Sequence, residues 1–535
     1  MKSKITLSLI VFAVSLFDAA GQADTHSYKS FTPHEVYSND SATQLEELEN
    51  SQLLKRFAKS RKQLSKDPHR PLYHFVSPES MLNDPNGLCF YKGKWHMFYQ
   101  AYPPDEFPKP IKSDIMKRRQ HWGHAVSDDL IHWQDLPYAI YPDPEKMCFS
   151  GGTVVDGDTV YAFYPGIGAG QMAAKSSDPL LLNWEKITGK PVNTPVGGDA
   201  CIWKEGDTFF ALCGSEMIES KNMADWKAHG DILELPSHIP KDNNACPYFW
   251  PIGDKHLFLF FSHSLGGQYY LGDFDNERKK LKVYHHGRFN HGKVSPGGVH
   301  APSAYPDPGN PDEIINIFNI NDARPAVYWD QIMSLPQRYK LNPDKTLNIQ
   351  PLESVESLRK NHRHVGETVL KANEEIELKT INGNSIELAL EIDQAEARTI
   401  QLNVLQSPDK KEKTSITFYN FDKRVSIWYG TNSELCIDPT HSSLSPDAWV
   451  RPPEKATLKL IEDFEMPGEK PLPGENLKLR IFIDKSVVEV FANDKLYMAV
   501  RVYPSLNNST GVSIKATGRD AVLKSLDAWD MKSIY

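Results

Sequence analysis

The sequence predicts an all-β protein in which a five-bladed β-propeller is followed by a C-terminal antiparallel β-sandwich. Three observations support this fold class. A turn followed by an apolar strand recurs along residues 69–345, a motif closed by tryptophan recurs in phase with it, and residues 365–535 alternate apolar and polar side chains. Repeats of about 50 residues are typical of propeller blades, and period-two alternation is typical of strands.

The two repeats of the first region share one period. The first repeat is a tight turn before an apolar strand, with clear copies at 92–94, 156–158, 205–207 and 252–254 and a weaker copy at Pro311-Asp312-Glu313. The second repeat reads SDDLIHW at 127–133, SSDPLLLNW at 176–184 and SKNMADW at 220–226. Because independent features agree, we predict five blades rather than a stack of unrelated hairpins. A polar ligand is expected at the mouth of the central channel.

The ends of the chain and the connector complete the predicted domains. Residues 1–23 combine lysines, an apolar run and small residues, which predict a signal peptide and a secreted or periplasmic protein. Residues 24–68 are predicted to be a leader with a short helix over 41–65. Residues 346–364 are predicted to link the propeller (69–345) to the sandwich (365–535), in which Asn493-Asp494 forms a hairpin turn.

Charge and composition restrict the partners. The formal net charge of the 535 residues is −9, which disfavours binding to a phosphate backbone. After the signal peptide, no stretch is long and apolar enough to predict a membrane span. The six cysteines show neither a CxxC pair nor a metal-ligand spacing. The sequence makes no prediction of oligomeric state.

The stretch MLNDPNGLCFYKGKWHMFYQAY at 81–102 concentrates turn, acidic and aromatic residues. Asp-Pro and Asn-Gly are turn dipeptides, so a turn over 83–87 that leads into a strand is predicted. Pro85 restricts the backbone on both sides of the peptide bond that joins it to Asp84. A carboxylate held in this way suits chemistry that directs one oxygen at one carbon, although an isolated Asp-Pro pair more often only forms a turn.

These features together resemble glycoside hydrolase family 32, the invertases, levanases and inulinases. The resemblance rests on NDPNG at 83–87 with FYQ at 98–100, FSGG at 149–152 and DKSVVEVF at 484–491, and it covers nearly the whole chain after the leader. It implies a retaining hydrolase that releases fructose from β-fructosides such as sucrose, levan or inulin. The implied partner is therefore a fructose-containing oligo- or polysaccharide, and the chemistry needs no cofactor.

The resemblance also implies the catalytic residues. The family's nucleophile is the Asp of NDPNG, which corresponds to Asp84. Its transition-state-stabilising Asp lies in an Arg-Asp-Pro motif, which corresponds to Asp199 in Gly-Asp-Ala, without the Arg and the Pro. Retaining glycosidases pair the nucleophile with a carboxylic acid about 5 Å away. In the family this acid/base is a Glu directly before Cys-Pro, but here Ala245 precedes Cys246-Pro247.

Alanine cannot donate a proton, and three explanations stay open. The Glu was replaced deliberately to trap a complex, another acid acts instead, or the protein lost turnover and kept binding. Asp242, three residues upstream of Ala245, is the nearest carboxylate and the predicted acid/base, and Glu216 is a more distant candidate. Asp242 also fits an ordinary loop residue.

The resemblance implies sugar contacts from five residues: Asn83, Gln100, Trp122, Phe149 and Ser150. Trp122 fits a packed core residue equally well. His121 and His124 flank it, but without a third ligand in register we expect hydrogen-bonded or packed histidines and no metal at the site.

Three functions compete on this evidence. A retaining β-fructosidase is favoured, and a catalytically impaired fructan-binding relative is the alternative that Ala245 raises. A furanosidase acting on another sugar, such as an arabinoside, is disfavoured by NDPNG and FYQ. A purely structural propeller is least favoured, because it does not need acids at the starts of blades.

Overall fold

The computed structural model describes residues 32–105, 109–111, 118–289, 298–321, 327–420, 433–448, 452–458, 460 and 474–535. The predicted signal peptide and the start of the leader lie outside these residues. Within the described part of the chain, no helix has the length and apolar character that crossing a bilayer requires. The described strands form five propeller blades and the two sheets of a sandwich, which confirms the predicted fold class.

The blades are mainly antiparallel sheets in which successive strands lie farther from the propeller axis. The first two blades contain β1 (Ser80–Tyr91), β2 (Lys94–Ala101), β3 (His121–Ser127) and β4 (Gln134–Ile140), then β5 (Met147–Cys148), β6 (Gly152–Asp156), β7 (Thr159–Ile167), β8 (Gly170–Ser176) and β9 (Glu185–Lys186). The third blade contains β10 (Ala200–Glu205), β11 (Thr208–Cys213), β12 (Glu216–Ser220) and β13 (Trp226–Asp231).

The last two blades follow the same plan. They contain β14 (Leu233–Glu234), β15 (Ala245–Ile252), β16 (Lys255–Ser262), β17 (Gly266–Asp275) and β18 (Lys280–Arg288), then β19 (Val299–Asp307), β20 (Asn310–Ile320), β22 (Ile332–Met333), β23 (Gln337–Leu341) and β24 (Leu347–Pro351). Strand β21 (Trp329–Asp330), which follows β20 in the chain, pairs in parallel with the start of β1 in the first blade and so closes the ring.

Both sequence repeats correspond to fixed positions in the blades. The glycine turns join the first and second strands, and Gly93, Gly157, Gly206 and Gly253 all adopt the left-handed backbone that glycine allows. The fifth turn lies at 308–309 and not at the predicted Pro311-Asp312-Glu313, which is part of β20. Pro-Gly is itself a turn dipeptide, and the Gly309 N–H donates to the Asp307 carboxylate (2.8 Å).

The second repeat forms the turn between the third and fourth strands of the first three blades. In each copy the serine hydroxyl donates to a side-chain oxygen two residues later, at 3.0–3.1 Å, and the acceptors are Asp129, Asp178 and Asn222. The repeat is therefore a structural device of the propeller.

The innermost strands β1, β6, β10, β15 and β19 contact one another in a ring. The Tyr248 hydroxyl on β15 ties several of them together. It accepts from the Gly87 N–H on β1 (3.0 Å), lies 2.9 Å from the Ser303 hydroxyl on β19, and is 3.3 Å from the Gly151 carbonyl. These bonds hold the strand ends at fixed positions around the axis.

Two helices precede the propeller where one is predicted: α1 (Ser41–Asn50) and α2 (Gln52–Leu64). The break lies at Ser51, whose hydroxyl accepts from the Leu54 N–H (3.3 Å). Serine is favoured as an N-cap, so it starts a second helix and does not continue the first. Helix α2 packs against β4.

The sandwich begins earlier than predicted. The predicted linker 346–364 contains β24 of the fifth blade, a 3-10 helix (Glu353–Leu358) and most of the first sandwich strand. One sheet contains β25 (Arg359–Val365), β26 (Thr368–Leu370), β28 (Ser385–Asp393), β33 (Leu477–Asp484), β34 (Val487–Ala492), β35 (Leu496–Arg501) and β37 (Ala521–Met531). The other contains β27 (Glu375–Asn382), β29 (Thr399–Gln406), β30 (Thr414–Tyr419), β31 (Glu434–Asp438), β32 (Glu454–Thr457) and β36 (Gly511–Thr517).

A buried charge cluster joins the sandwich to the segment that enters the propeller. Asp484 accepts from the backbone N–H groups of Leu72 (2.7 Å), Tyr73 (2.7 Å) and His74 (3.1 Å), and from His74 Nδ1 (2.9 Å). The opposite nitrogen of His74 lies 3.6 Å from Glu489. Both acids belong to the DKSVVEVF motif, whose polar positions therefore bind the two domains together.

The His74 imidazole is held in its charged form by this cluster. Burial acts to lower the pKa of His74, but the hydrogen bond to Asp484 and the nearby Glu489 carboxylate outweigh burial and raise it to about 9. The interaction thus stabilises the folded chain fully below the unfolded pKa of 6.5 and is lost as the pH rises through about 9.

We expect Asp484→Asn to destabilise the protein at pH 6 and to flatten the dependence of stability on pH between 6.5 and 9. The pKa difference corresponds to roughly 3 kcal/mol. Urea unfolding across this pH range measures the effect, and Asp520→Asn, an exposed sandwich carboxylate paired with Lys371, is the matched control. An identical pH dependence in wild type and Asp484→Asn contradicts the assignment.

Candidate active site

Three of the inner strands are irregular at the same end of the propeller. The pairing register shifts between Leu82 and Pro85 in β1, between Ala245 and Tyr248 in β15, and between Val299 and Pro302 in β19. The stretch predicted as a turn over 83–87 is therefore the bulged interior of a strand. Each irregularity includes or borders a proline, which has no N–H for the ladder: Pro85, Pro247 and Pro302.

The bulges direct three side chains to one point, at which Asp84 is buried. Its Oδ2 accepts from the Ser150 hydroxyl (2.5 Å), from Gln100 Nε2 (3.3 Å) and from the Cys246 thiol (3.5 Å). Its Oδ1 accepts from His300 Nδ1 (3.2 Å). Both carboxylate oxygens are thus held in position by donors from four separate segments.

These donors keep Asp84 ionised. Burial acts to raise its pKa, but the hydrogen bond and charge of His300, followed by the hydrogen bonds of Ser150 and Cys246, outweigh burial and hold the pKa below its ordinary value. A carboxylate that is ionised and fixed at neutral pH meets the requirement for a nucleophile.

Asp199 directly precedes β10 and shares a donor with Asp84. The Cys246 thiol lies 3.4 Å from Asp199 Oδ2 and 3.5 Å from Asp84 Oδ2, so the two carboxylates flank one thiol and belong to the same site. Burial and the negative charge of Asp84 raise the pKa of Asp199 to about 7. One acid of the pair is therefore held ionised while the other keeps its proton to a higher pH, which is a typical arrangement for acid–base chemistry.

Four of the five residues predicted to contact the sugar border Asp84 or its donors. Gln100 Oε1 accepts from Asn83 Nδ2 (3.0 Å), and Gln100 Nε2 donates to the Ser150 hydroxyl (2.6 Å). Phe149 precedes Ser150 and is partly exposed. Asn83, Gln100 and Ser150 thus form one hydrogen-bonded chain beside the nucleophile.

Trp122 is the exception, and the structure corrects the prediction. Its side chain has no exposed surface and packs against Phe98 and Tyr164. Its indole N–H donates to the Phe149 carbonyl (2.8 Å). Trp122 therefore supports the backbone of the site and does not face a ligand. The flanking His121 and His124 are also buried, with hydrogen bonds to the Arg119 carbonyl and to His96.

Asp242, the predicted acid/base, lies on the segment before β15 and is partly exposed. Its Oδ2 accepts from Gln268 Nε2 (3.2 Å). Among the hydrogen bonds of the described residues, those of Asp84 and Asp199 do not include Asp242. The structure therefore leaves its catalytic role as a prediction.

The backbone around Ala245 is unusual. Asn244 and Cys246, on either side of it, both have left-handed backbone angles (φ 50° and 47°). A non-glycine residue rarely adopts this conformation, and clusters of such residues occur at functional sites. Here the conformation accompanies the orientation of the Cys246 thiol toward both acids. Ala245 pairs with Phe261, against which the His300 ring packs.

The sequence-based reasoning missed Cys246 and His300 as parts of the site. A signal was present, because Cys246-Pro247 and His300-Ala301-Pro302 place a polar side chain beside a proline at the start of an inner strand, as Asp84-Pro85 does. Recognising it required knowing that these segments are inner strands.

The paired carboxylates beside the inner strands of a propeller indicate a glycoside hydrolase, and comparison with family sequences agrees. The family described as "Glycosyl hydrolases family 32 N-terminal domain" matches residues 74–351, and "Glycosyl hydrolases family 32 C terminal" matches residues 354–530. Together these matches span most of the chain, which therefore belongs to glycoside hydrolase family 32.

Curated relatives and solved structures extend the comparison. A levanase of Bacillus subtilis (strain 168) is 26% identical over 88% of this chain and 71% of its own length. A sucrose-6-phosphate hydrolase of Escherichia coli is 27% identical over 84% of this chain and 94% of its own. The crystal structure of fructan 1-exohydrolase IIa from Cichorium intybus shares the fold, with a TM-score of 0.74 at 21% identity over 87% of this chain and 98% of that chain.

We expect Asp84→Asn to lower the pKa of Asp199 from about 7, because the substitution removes a neighbouring negative charge. The carboxyl carbon resonances of ¹³C-labelled aspartate, followed across pH 4–9 and assigned with Asp199→Asn, measure this titration. Asp242→Asn is the control and is expected to leave it in place. Titration of Asp199 below pH 5 in the wild type contradicts the assignment.

Proposed function

We propose that this family 32 protein hydrolyses β-fructosides by double displacement with retention of configuration. The observation that carries the proposal is the ionised, fixed Asp84 carboxylate beside Asp199, a second acid that is partly protonated at neutral pH. The names of the levanase and the sucrose-6-phosphate hydrolase relatives support fructoside substrates, as does the 1-kestose complex of the Cichorium intybus fructan 1-exohydrolase.

The proposed reaction has two steps. Asp84 attacks the anomeric carbon of the fructosyl unit while the bond between this carbon and the leaving-group oxygen breaks. A carboxylic acid supplies that oxygen with a proton. Water then displaces Asp84 and gives up a proton to the same acid. Ser150, Gln100 and His300 are positioning residues that fix the nucleophile during both steps.

Two carboxyl groups compete for the role of proton donor. Asp242, proposed from the sequence, lies just upstream of Ala245, where the family carries its acid/base. Asp199 lies beside Asp84, and its pKa of about 7 matches the preference for a donor whose pKa is near the working pH.

Ala245 favours a second candidate function, a catalytically impaired fructan-binding relative. Losing general acid catalysis without replacement costs roughly 10²–10⁴-fold in rate and leaves a weak enzyme with intact binding. Export stays a proposal as well, since it depends on the predicted signal peptide at 1–23.

Fructose release from sucrose, levan and inulin tests the proposed function. We expect wild-type activity on at least one of these substrates, and a loss of at least about 10³-fold in Asp84→Asn, because the nucleophile is removed while the shape of the site is kept. Fructan binding by calorimetry is expected to survive. Binding without fructose release, in wild type and Asp84→Asn alike, supports the binding relative instead, and cleavage only of an aryl arabinofuranoside contradicts both.

Restoring the family's acid tests the impairment. If no other group replaces it, Ala245→Glu is expected to raise sucrose hydrolysis by roughly 10²–10⁴-fold, whereas Ala245→Gln, of the same size but without an acid, is not. A much smaller rate increase of Ala245→Glu on an activated aryl fructoside, whose leaving group needs little protonation, shows that the gain on sucrose comes from proton donation. No gain indicates that another acid already acts.

The donor is then identified by Asp242→Asn and Asp199→Asn. Each variant is assayed on sucrose and on the activated aryl fructoside. The proton donor is the residue whose substitution lowers activity on sucrose more than activity on the aryl fructoside. If Asp199 is the donor, wild-type kcat/KM falls as the pH rises through about 7, because the protonated form is consumed.

A further inference from the structure

Two histidines and an aspartate converge on the outer face of the sandwich, far in sequence from the acids of the candidate site. His362 and His364 lie on β25, and Asp527 lies on β37, where it pairs directly with His364. Residues two apart on a strand project to the same side of the sheet, so both imidazoles face this carboxylate.

A bulge adjusts this arrangement. Between Lys360 and Arg363 the strand β25 carries one residue more than β37, and Asn361 has a left-handed backbone (φ 53°). The His362 ring stacks on Trp529, with ring centroids 5.0 Å apart and planes inclined by 16°. The stacking fixes the orientation of this imidazole before any ligand arrives.

The three side chains direct their donor atoms at one point. His362 Nε2 and His364 Nδ1 both donate to Asp527 Oδ1, at 2.7 and 2.8 Å, and the three atoms lie within 4.8 Å of one another. A zinc ion with ligands at about 2.0–2.1 Å in tetrahedral geometry needs them roughly 3.3 Å apart. The imidazole nitrogens therefore have to move away from the Asp527 oxygen, from 2.7 and 2.8 Å to roughly 3.3 Å, to admit the ion.

The local electrostatics favour a cation. Asp527 brings a carboxylate, the one anionic group of the three, to the point where the two imidazole nitrogens meet. The arginines of the same strand are paired with other acids, Arg363 with Asp530 and Arg359 with Glu387. The described hydrogen bonds of Asp527 come from the two imidazoles, His362 and His364.

We propose that His362, His364 and Asp527 form a binding site for a divalent transition metal ion. Two imidazoles and one carboxylate are ligands typical of zinc, nickel and copper, whereas calcium and magnesium prefer oxygen-only sites. The histidine side chains are 53% and 52% exposed, so the ion reaches them from solvent and keeps open positions for water. On binding, each ring proton moves to the opposite nitrogen and the ion takes its place.

The bound ion is expected to cross-link the paired strands β25 and β37, because β25 supplies two ligands and β37 supplies one. Binding to the folded chain alone raises its stability with ligand concentration. This role is independent of the proposed fructosidase activity.

The test uses the full chain, free of any histidine tag and treated with chelator, titrated with zinc sulfate in a calorimeter. We expect one ion per chain and a Tm that rises with zinc concentration but not with magnesium. Asp527→Asn, His364→Ala and His362→Gln are each expected to weaken binding by at least about tenfold, since even outer-shell partners of a metal are worth roughly 10–100-fold.

His229→Ala is the matched control, because His229 also bonds an acid, Glu219, without a second histidine in the group. Its zinc affinity is expected to equal that of the wild type. Cobalt loading adds a spectroscopic readout, in which visible absorption of the tetrahedral or five-coordinate ion disappears in His364→Ala. Absence of zinc binding, or equal binding by wild type and all three site variants, overturns the proposal.

Discussion

Proline in the inner strands is the constraint on which the site depends. A strand residue without an N–H cannot complete the hydrogen-bond ladder, and the strands β1, β15 and β19 are irregular beside their prolines. These irregularities bring Asp84, Cys246 and His300 together from segments that are far apart in the chain. The ring of contacts among the inner strands, reinforced by the Tyr248 hydroxyl, holds the distorted ends in place.

The electrostatics of the site follow from unequal hydrogen bonding. Asp84 accepts from Ser150, Gln100 and His300, whereas the one thiol proton of Cys246 is shared between Asp84 and Asp199. A buried carboxylate and a partly exposed one this close cannot both ionise freely, so the proton resides on Asp199, the acid with fewer donors.

The fold and part of the site were predictable from local patterns. The hairpin glycines and the serine-to-tryptophan motif repeat once per blade, so periodicity alone indicated the propeller. Asp84, Ser150 and Gln100 were located by resemblance, and the structure brings them together. Trp122 was misassigned because a tryptophan in a blade has the same sequence appearance whether it packs or faces a ligand.

Other features depend on contacts that no short motif reports. His300 lies 216 residues from the Asp84 carboxylate that it contacts, and a linear reading has no reason to associate the two. The pKa difference between Asp84 and Asp199 depends on burial and on shared donors, which are properties of the assembled ring. The bulges within the NDPNG strand were read as a turn because turn residues also serve to distort strands.

The His74 cluster bears on how this architecture can be modified. An aspartate and a glutamate from one domain surround a cation from the other, and all three are sealed from water. Expressing the propeller alone strands a cation without its counterions, and exchanging the sandwich for an unrelated module does the same. A chimeric hydrolase built on this propeller therefore needs counterparts of Asp484 and Glu489 in its new domain, or a neutral residue in place of His74.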